Sequence, residues 1–246
     1  MTVESVAVVV PARDEEALLP GCLDALRTAV DRVEQDGVPV EVVVVLDRCG
    51  DASARVVSAR PWARAMEVSV GNVGAARAAG FADVLARRPP TTLDALWLAT
   101  TDADSRVPAD WLTRQVALAG GGADLVLGTV EVDDWTQHPP QVASQWRAAY
   151  RPGDGHPHVH GANAGLRAEA YVQVGGFAAL EHGEDVALVA ALAHRRVVRT
   201  GGIPVVTSAR RDARAPRGFG DHLARLAVPA PVSGAAASAR GRPGSS

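Results

Sequence analysis

Lysine is absent from this chain; every one of its 25 basic residues is arginine. That excludes a Walker-type phosphate loop, which depends on its lysine, and any Schiff-base chemistry, which depends on an amine. No G-x-G-x-x-G follows the first apolar run, which argues against a dinucleotide-binding dehydrogenase, and no G-x-S-x-G offers the elbow of a serine hydrolase. The only cysteines, Cys22 and Cys49, stand in unrelated segments, so a disulfide framework is not expected and a reducing compartment is. No apolar run approaches the ~20 residues of a membrane span. Met1–Val10 is too short and too acidic for a signal peptide. A formal net charge of -3 speaks against a general nucleic-acid binder. The chain is expected in the cytoplasm, with at most a peripheral contact at the inner membrane face, because the two arginines of its tail are too few to anchor it. Isoleucine occurs once and asparagine twice, at Asn72 and Asn163.

What is present is a repeated pattern. At 246 residues the chain is long enough for one large core. Val6–Val10, Val40–Leu46, Met66–Val70 and Leu93–Thr100 are apolar runs of strand length, and each ends in a polar, charged or glycine-rich loop. Between them lie helical segments. Leu19, Leu23, Leu26, Val30 and Val33 form one apolar stripe, and the alanine-rich stretch from Val73 to Arg88 also reads as helix. Strand–helix alternation predicts an α/β fold with a mostly parallel central sheet and helices on both faces. In such sheets ligands bind beyond the carboxyl ends of the strands, where these loops lie. From Pro229 to Ser246 the composition is that of a disordered tail.

The loop after the fourth run is Asp102-Ala103-Asp104. In extended backbone, residues i and i+2 point the same way, so both carboxylates can face one point. Converging carboxylates repel unless a cation lies between them, and a hard divalent ion, Mg²⁺ or Mn²⁺, is the natural candidate, often with a substrate phosphate. A plain strand-end turn is the competing reading.

In order, Pro11-Ala12-Arg13-Asp14-Glu15, Asp47, Asn72-Val73-Gly74-Ala75-Ala76-Arg77 and Asp102-Ala103-Asp104 resemble the family 2 glycosyltransferases of GT-A fold. Gly161-Ala162-Asn163-Ala164-Gly165-Leu166-Arg167, Val174-Gly175-Gly176-Phe177 and Gly183-Glu184-Asp185 extend the resemblance over roughly residues 5 to 210. It implies a Rossmann-like nucleotide-binding half (about residues 1–105), an acceptor half (about 106–228) and a tail (229–246). It further implies a sugar transferred from a UDP- or GDP-linked donor to a hydroxyl acceptor, small or lipid-linked, by an inverting, metal-dependent reaction. Pro11, Ala12, Arg13, Glu15, Asp47, Gly74, Arg77, Asp102 and Ala103 would line the nucleotide pocket, with Asp47 on the base. The family often has two aspartates there, but Leu46 holds the first place. Asp102 and Asp104 would hold Mn²⁺ or Mg²⁺, Asp185 would be the general base, and Trp146, Asn163 and Glu184 would lie at the acceptor. A sugar nucleotidyltransferase on a related sheet and a catalytically idle nucleotide binder are the alternatives.

Other clusters have plainer readings. His156, His158 and His160 alternate as a zinc site might, but Gly153, Gly155 and Pro157 favour an irregular loop on the acceptor side. Glu131, Asp133 and Asp134 read as a solvated acidic cluster. Trp146 and Tyr150 suit either a sugar ring or helix packing, and Trp135 could join them. Arg210, Arg211, Arg214 and Arg217 follow the run Ile203–Thr207 and are candidates to close over a diphosphate. His222 is a candidate third metal ligand, and Asn72 reads as a turn feeding the next helix.

Overall fold

A computed structural model describes residues 2–211 and 219–226, the side chains of Asp221 and His222 excepted. The expectations for Arg214, Arg217, the His222 side chain and the 229–246 tail lie outside the described residues. The first half runs β1 (Ser5–Ala12), α1 (Leu19–Gln35), β2 (Val40–Asp47), α2 (Ser53–Ser58), β3 (Ala63–Val68), α3 (Val73–Ala86) and β4 (Leu96–Thr100). The second half runs β5 (Ser105–Arg106), α4 (Trp111–Gly120), β6 (Leu125–Glu131), α5 (Pro140–Ala149), β7 (Ala164–Arg167), α6 (Ala168–Gln173), α7 (Glu184–Ala191), β8 (Val197–Thr207) and α8 (Phe219–Leu226).

The strands form one sheet in the order β3-β2-β1-β4-β7-β6-β8-β5. β3, β2, β1 and β4 are parallel, so their carboxyl ends share one edge. β7 runs antiparallel to both β4 and β6, β6 and β8 are parallel, and β5 closes the edge antiparallel to β8. The chain moves outward from β1 to β2 and β3, then returns to place β4 on the other side of β1. That reversal opens a crevice above β1 and β4.

The valine runs are continuous because both faces of the sheet are covered. Val6, Val8 and Val10 pack with Leu19, Leu23, Leu26 and Val30 of α1, while Ala7 and Val9 pack with Ala76, Phe81 and Val84 of α3. α3 lies so near the sheet that a Cβ on Gly80 would meet Val9 Cγ1 at 2.6 Å and Val45 Cγ2 at 2.8 Å. This close approach accounts for the small residues of that helix.

β3, β4 and β8 depart from their sequence runs, β8 starting at Val197 rather than Ile203. β3 covers Ala63–Val68 rather than Met66–Val70, because the Val70 amide leaves the ladder to donate to Asp47. β4 starts at Leu96, since residues 93–95 form turns after the 3₁₀ helix Pro90–Thr92, with the Leu93 and Ala95 amides donating to the carbonyls of Pro90 and Thr92. No helix among the described residues is long and apolar enough to cross a membrane.

Candidate active site

A cleft of about 1080 Å³ lies over the carboxyl edge of the parallel strands and extends across β6 and β7. Pro11, Ala12, Arg13, Glu15, Asp47, Arg77, Asp102, Ala103, Asp104, Trp146, Glu184 and Asp185 all line it. Gly74 and Asn163 do not.

Asp47 ends β2 and is buried. Its Oδ1 accepts the amides of Val70 and Gly71, and its Oδ2 accepts that of Asn72, so it fixes the whole β3–α3 loop. Asn72 then caps α3 by accepting the Ala75 amide, and its own amide donates to the carbonyls of Leu180 and Glu181. One asparagine therefore joins the β3–α3 loop to the segment leading into α7. The expectation of a turn feeding a helix was right but incomplete.

Asp102 and Asp104 do not share an extended strand. The Ser105 amide donates to the Asp102 carbonyl at 3.0 Å and closes a turn. Each carboxylate instead meets its own arginine: Asp102 accepts Arg77 Nη2 at 2.5 Å, and Asp104 lies 3.2 Å from Arg210 Nη2. Burial, followed by the charge of Asp102, pushes the Asp104 carboxyl up to about 7, with Arg210 opposing. A carboxylate discouraged from ionising by dehydration and like charge is one that an added cation stabilises. The donors are hard oxygens, suited to Mg²⁺ or Mn²⁺, so the residues fit such an ion.

Arg77 is buried at the centre. Nη1 donates to Glu184 Oε1 at 2.7 Å while Nη2 holds Asp102, so one guanidinium spans the two sides of the cleft. Glu184, expected at the acceptor, is itself only 4% exposed and committed to Arg77. Gly74 serves the same contact: a Cβ there would lie 2.3 Å from Glu184 Cγ, so it makes room for the glutamate rather than facing a nucleotide. Gly161 completes the arrangement. Its missing Cβ would fall 2.5 Å from the Arg77 guanidinium, and its amide donates to Asp185 Oδ2 at 3.1 Å. Asp185 Oδ1 accepts the Val186 amide. Gly183, at φ 74°, turns the chain into α7, whose first turn carries both acids and gains from the helix dipole.

Asn163 is corrected by the structure. It is fully buried, accepts Trp111 Nε1 at 2.8 Å and donates to the carbonyls of Thr129 and Ile203. Those carbonyls lie where the β6–β8 pairing slips between Gly128 and Val130. Asn163 satisfies backbone groups that the slipped ladder leaves open; it does not reach an acceptor.

The far side of the cleft is aromatic. Trp146 stacks on Tyr150 with centroids 4.5 Å apart, and Tyr150 stacks on His158 at 4.0 Å. The rings therefore cover one another, and Trp146 is a packing residue rather than a free platform. Trp135 joins the same column through Trp146 at 5.5 Å. The Tyr150 hydroxyl accepts the Val130 amide and meets His160 Nε2 at 2.9 Å. His156, His158 and His160 form an irregular segment, as their glycines and proline predict. Among the described residues, the three-residue group whose ligand atoms come within 4.8 Å is Asp14, Cys49 and Asp51, not these histidines. Asp133 pairs with exposed Arg106, and Asp134 caps Thr136, as a solvated cluster would. Helix packing was one of the two readings the sequence offered for Trp146 and Tyr150, with Trp135 beside them; what it did not show is that His158, from a loop with no shared motif, extends the stack.

Residues 7–175 match the model of glycosyl transferase family 2. The chain belongs to glycosyl transferase family 2. No curated protein matches the sequence. Among solved structures, the family 2 chain resembles S. aureus TarS 1-349 in complex with UDP-GlcNAc, with a TM-score of 0.61 and 14% identity over 90% of this chain and 64% of that one. It also resembles GalNAc-T7 with UDP, GalNAc and Mn²⁺ (TM-score 0.62, 13% identity, 83% of this chain and 44% of that one). A third is the mannosyltransferase PcManGT from Pyrobaculum calidifontis with GDP-Man and Mn²⁺ (0.57, 18%, 87% and 59%). The family 2 chain spans about three fifths of the TarS fragment. At such identities the likeness establishes the fold, which is GT-A: a curled, mostly parallel sheet flanked by helices.

Proposed function

We propose that this family 2 protein transfers a glycosyl group from a UDP- or GDP-linked sugar to a hydroxyl acceptor, with a divalent cation on Asp104 and Asp102 and inversion at the anomeric carbon. The observation that carries this reading is that one cleft holds the Asp102-Ala103-Asp104 turn and Asp185 together, joined through Arg77 and Glu184.

The chain's own residues suit the steps. Asp47 has one acceptor site left beyond its amide contacts, enough for one N–H of a base. Pro11, Ala12 and Arg13 border the same end. A cation bound by Asp104 and Asp102 supplies positive charge where the departing diphosphate accumulates negative charge. Asp185 takes the proton of the acceptor hydroxyl, whose oxygen bonds to the anomeric carbon as the bond to the diphosphate oxygen breaks. Two backbone amides orient its carboxylate while leaving it acceptor capacity.

The test is to incubate the protein with UDP- and GDP-sugars and Mn²⁺ and to identify the released product. Nucleoside diphosphate is expected. Pyrophosphate would make the protein a nucleotidyltransferase, and no release with any donor would leave a binding protein. Asp104→Ala should stay folded yet lose the Mn²⁺-dependent part of UDP and GDP binding. Unchanged metal-dependent affinity would remove the cation from this turn.

A further inference from the structure

After β8 the chain brings Arg210 to the ends of β1 and β4. Its Nη1 donates to Glu15 Oε2 at 2.6 Å and its Nη2 to Glu15 Oε1, a two-point pairing across the whole fold. The same Nη2 lies 3.2 Å from Asp104 Oδ2. Glu15 is only 5% exposed, and its amide is fixed by Ser53 Oγ. A single guanidinium thus serves two largely buried carboxylates, while the neighbouring Asp102 is held by Arg77.

The fork geometry of arginine matches Glu15 at two points and leaves Asp104 as the third, looser contact. A divalent ion on Asp104 needs the same oxygen lone pairs, and its charge repels a guanidinium a few ångströms away. The two cations cannot share Asp104 without cost. We propose that Arg210 is a tethered counter-cation of the metal site: anchored on Glu15, it neutralises Asp104 while the donor is absent and yields Asp104 to the divalent ion when the donor diphosphate offers its guanidinium a new partner. This rests on the metal assignment under Proposed function.

Metal and nucleotide should therefore bind in concert. Metal alone must take Asp104 against the repulsion of the nearby guanidinium, whereas a diphosphate offsets that repulsion by accepting the guanidinium's hydrogen bonds. Linkage requires the help to be mutual: UDP tightens Mn²⁺ by the factor by which Mn²⁺ tightens UDP.

The decisive measurement is Mn²⁺ binding to the full chain, read by the electron paramagnetic resonance of free Mn²⁺, without and with UDP. Without nucleotide, Arg210→Gln should bind Mn²⁺ more than about tenfold tighter than wild type, since a unit charge has left the immediate surroundings of Asp104. Arg211→Gln removes the same charge from an exposed neighbour and should change Mn²⁺ affinity less than about twofold, because solvent and salt screen it. Arg210→Lys should fall between the two and serves if Arg210→Gln melts early. In Arg210→Gln the enhancement of Mn²⁺ binding by UDP should shrink. An Arg210→Gln protein that binds Mn²⁺ no tighter than wild type, or an Arg211→Gln protein that matches it, overturns the inference and leaves the metal assignment standing. Mn²⁺ that binds neither wild type nor variant, with UDP or GDP present, overturns the metal assignment itself.

Discussion

The two ends of the cleft are built from opposite materials. The end over β1, β2 and β4 is made of carboxylates held by shared and unshared partners: Asp47 by three amides, Glu15 by Arg210, which also approaches Asp104, and Asp102 by Arg77, which also holds Glu184. At the other end, Trp146, Tyr150 and His158 stack on one another, and Glu181, Glu184 and Asp185 line the same cleft. A charge-dense end suits a ligand that is anionic and carries a cation. A ring-walled end suits selection by shape. Under the proposed function the first end holds and Asp185 at the second reacts, and substitutions can probe each.

The sharpest way to break the comparison is at the joint between the ends. Arg77→Met leaves Glu184 buried and charged without its partner and frees Asp102. Breaking a buried ion pair costs about 3–5 kcal/mol, so denaturant melting should shift by that order. Adding Glu184→Gln should recover part of the loss. A single variant as stable as wild type would mean that the two ends are not joined through Arg77.

Asp185→Asn tests the reacting side. Its shape is kept but it cannot take up a proton, so turnover should fall by at least ~10², with UDP and GDP affinity nearly unchanged. A fully active Asp185→Asn enzyme, or a product of retained anomeric configuration, would remove Asp185 as the base.

A smaller effect should come from acid. Burial, and for His158 the neighbouring charge of His156, lowers the affinity of both rings for a proton. A group with a lowered folded value contributes stability that is present above its ordinary value and lost as pH falls through the lowered one. Thermal stability should therefore decline below about pH 6.5, the ordinary histidine value. His158→Gln should flatten that decline, and an identical acid slope in the variant would place the acid sensitivity elsewhere.

The donor end was legible because each of its motifs directly follows a strand whose apolar run marks it. The family resemblance put Asp47, Arg77, Asp102, Asp104 and Glu15 at one pocket, and all five line the cleft. What the string could not show is partnership: that Arg77 spans Asp102 and Glu184, or that Arg210 returns to Glu15 from the other end of the chain. The extended geometry assumed for Asp102 and Asp104 was wrong because Ser105 closes a turn onto Asp102. Asn163 was singled out by rarity in an asparagine-poor chain, and rarity marked a residue that is hard to replace without saying why. Its task, closing a slipped ladder between strands far apart in sequence, leaves no local pattern. The place of His158 in the ring column was hidden in the same way, since stacking depends on how α5 meets the histidine loop.

The contact of Arg77 with Asp102, Glu184 and the face of Gly161 bears on attempts to recombine relatives. A hybrid that keeps the first hundred residues and borrows the rest from a relative would cut through this joint. Such a graft has to bring a glycine at 161 and an acid at 184 with it, or else replace Arg77. The unit of exchange is then not the half-domain but the handful of side chains that meet beneath the seam.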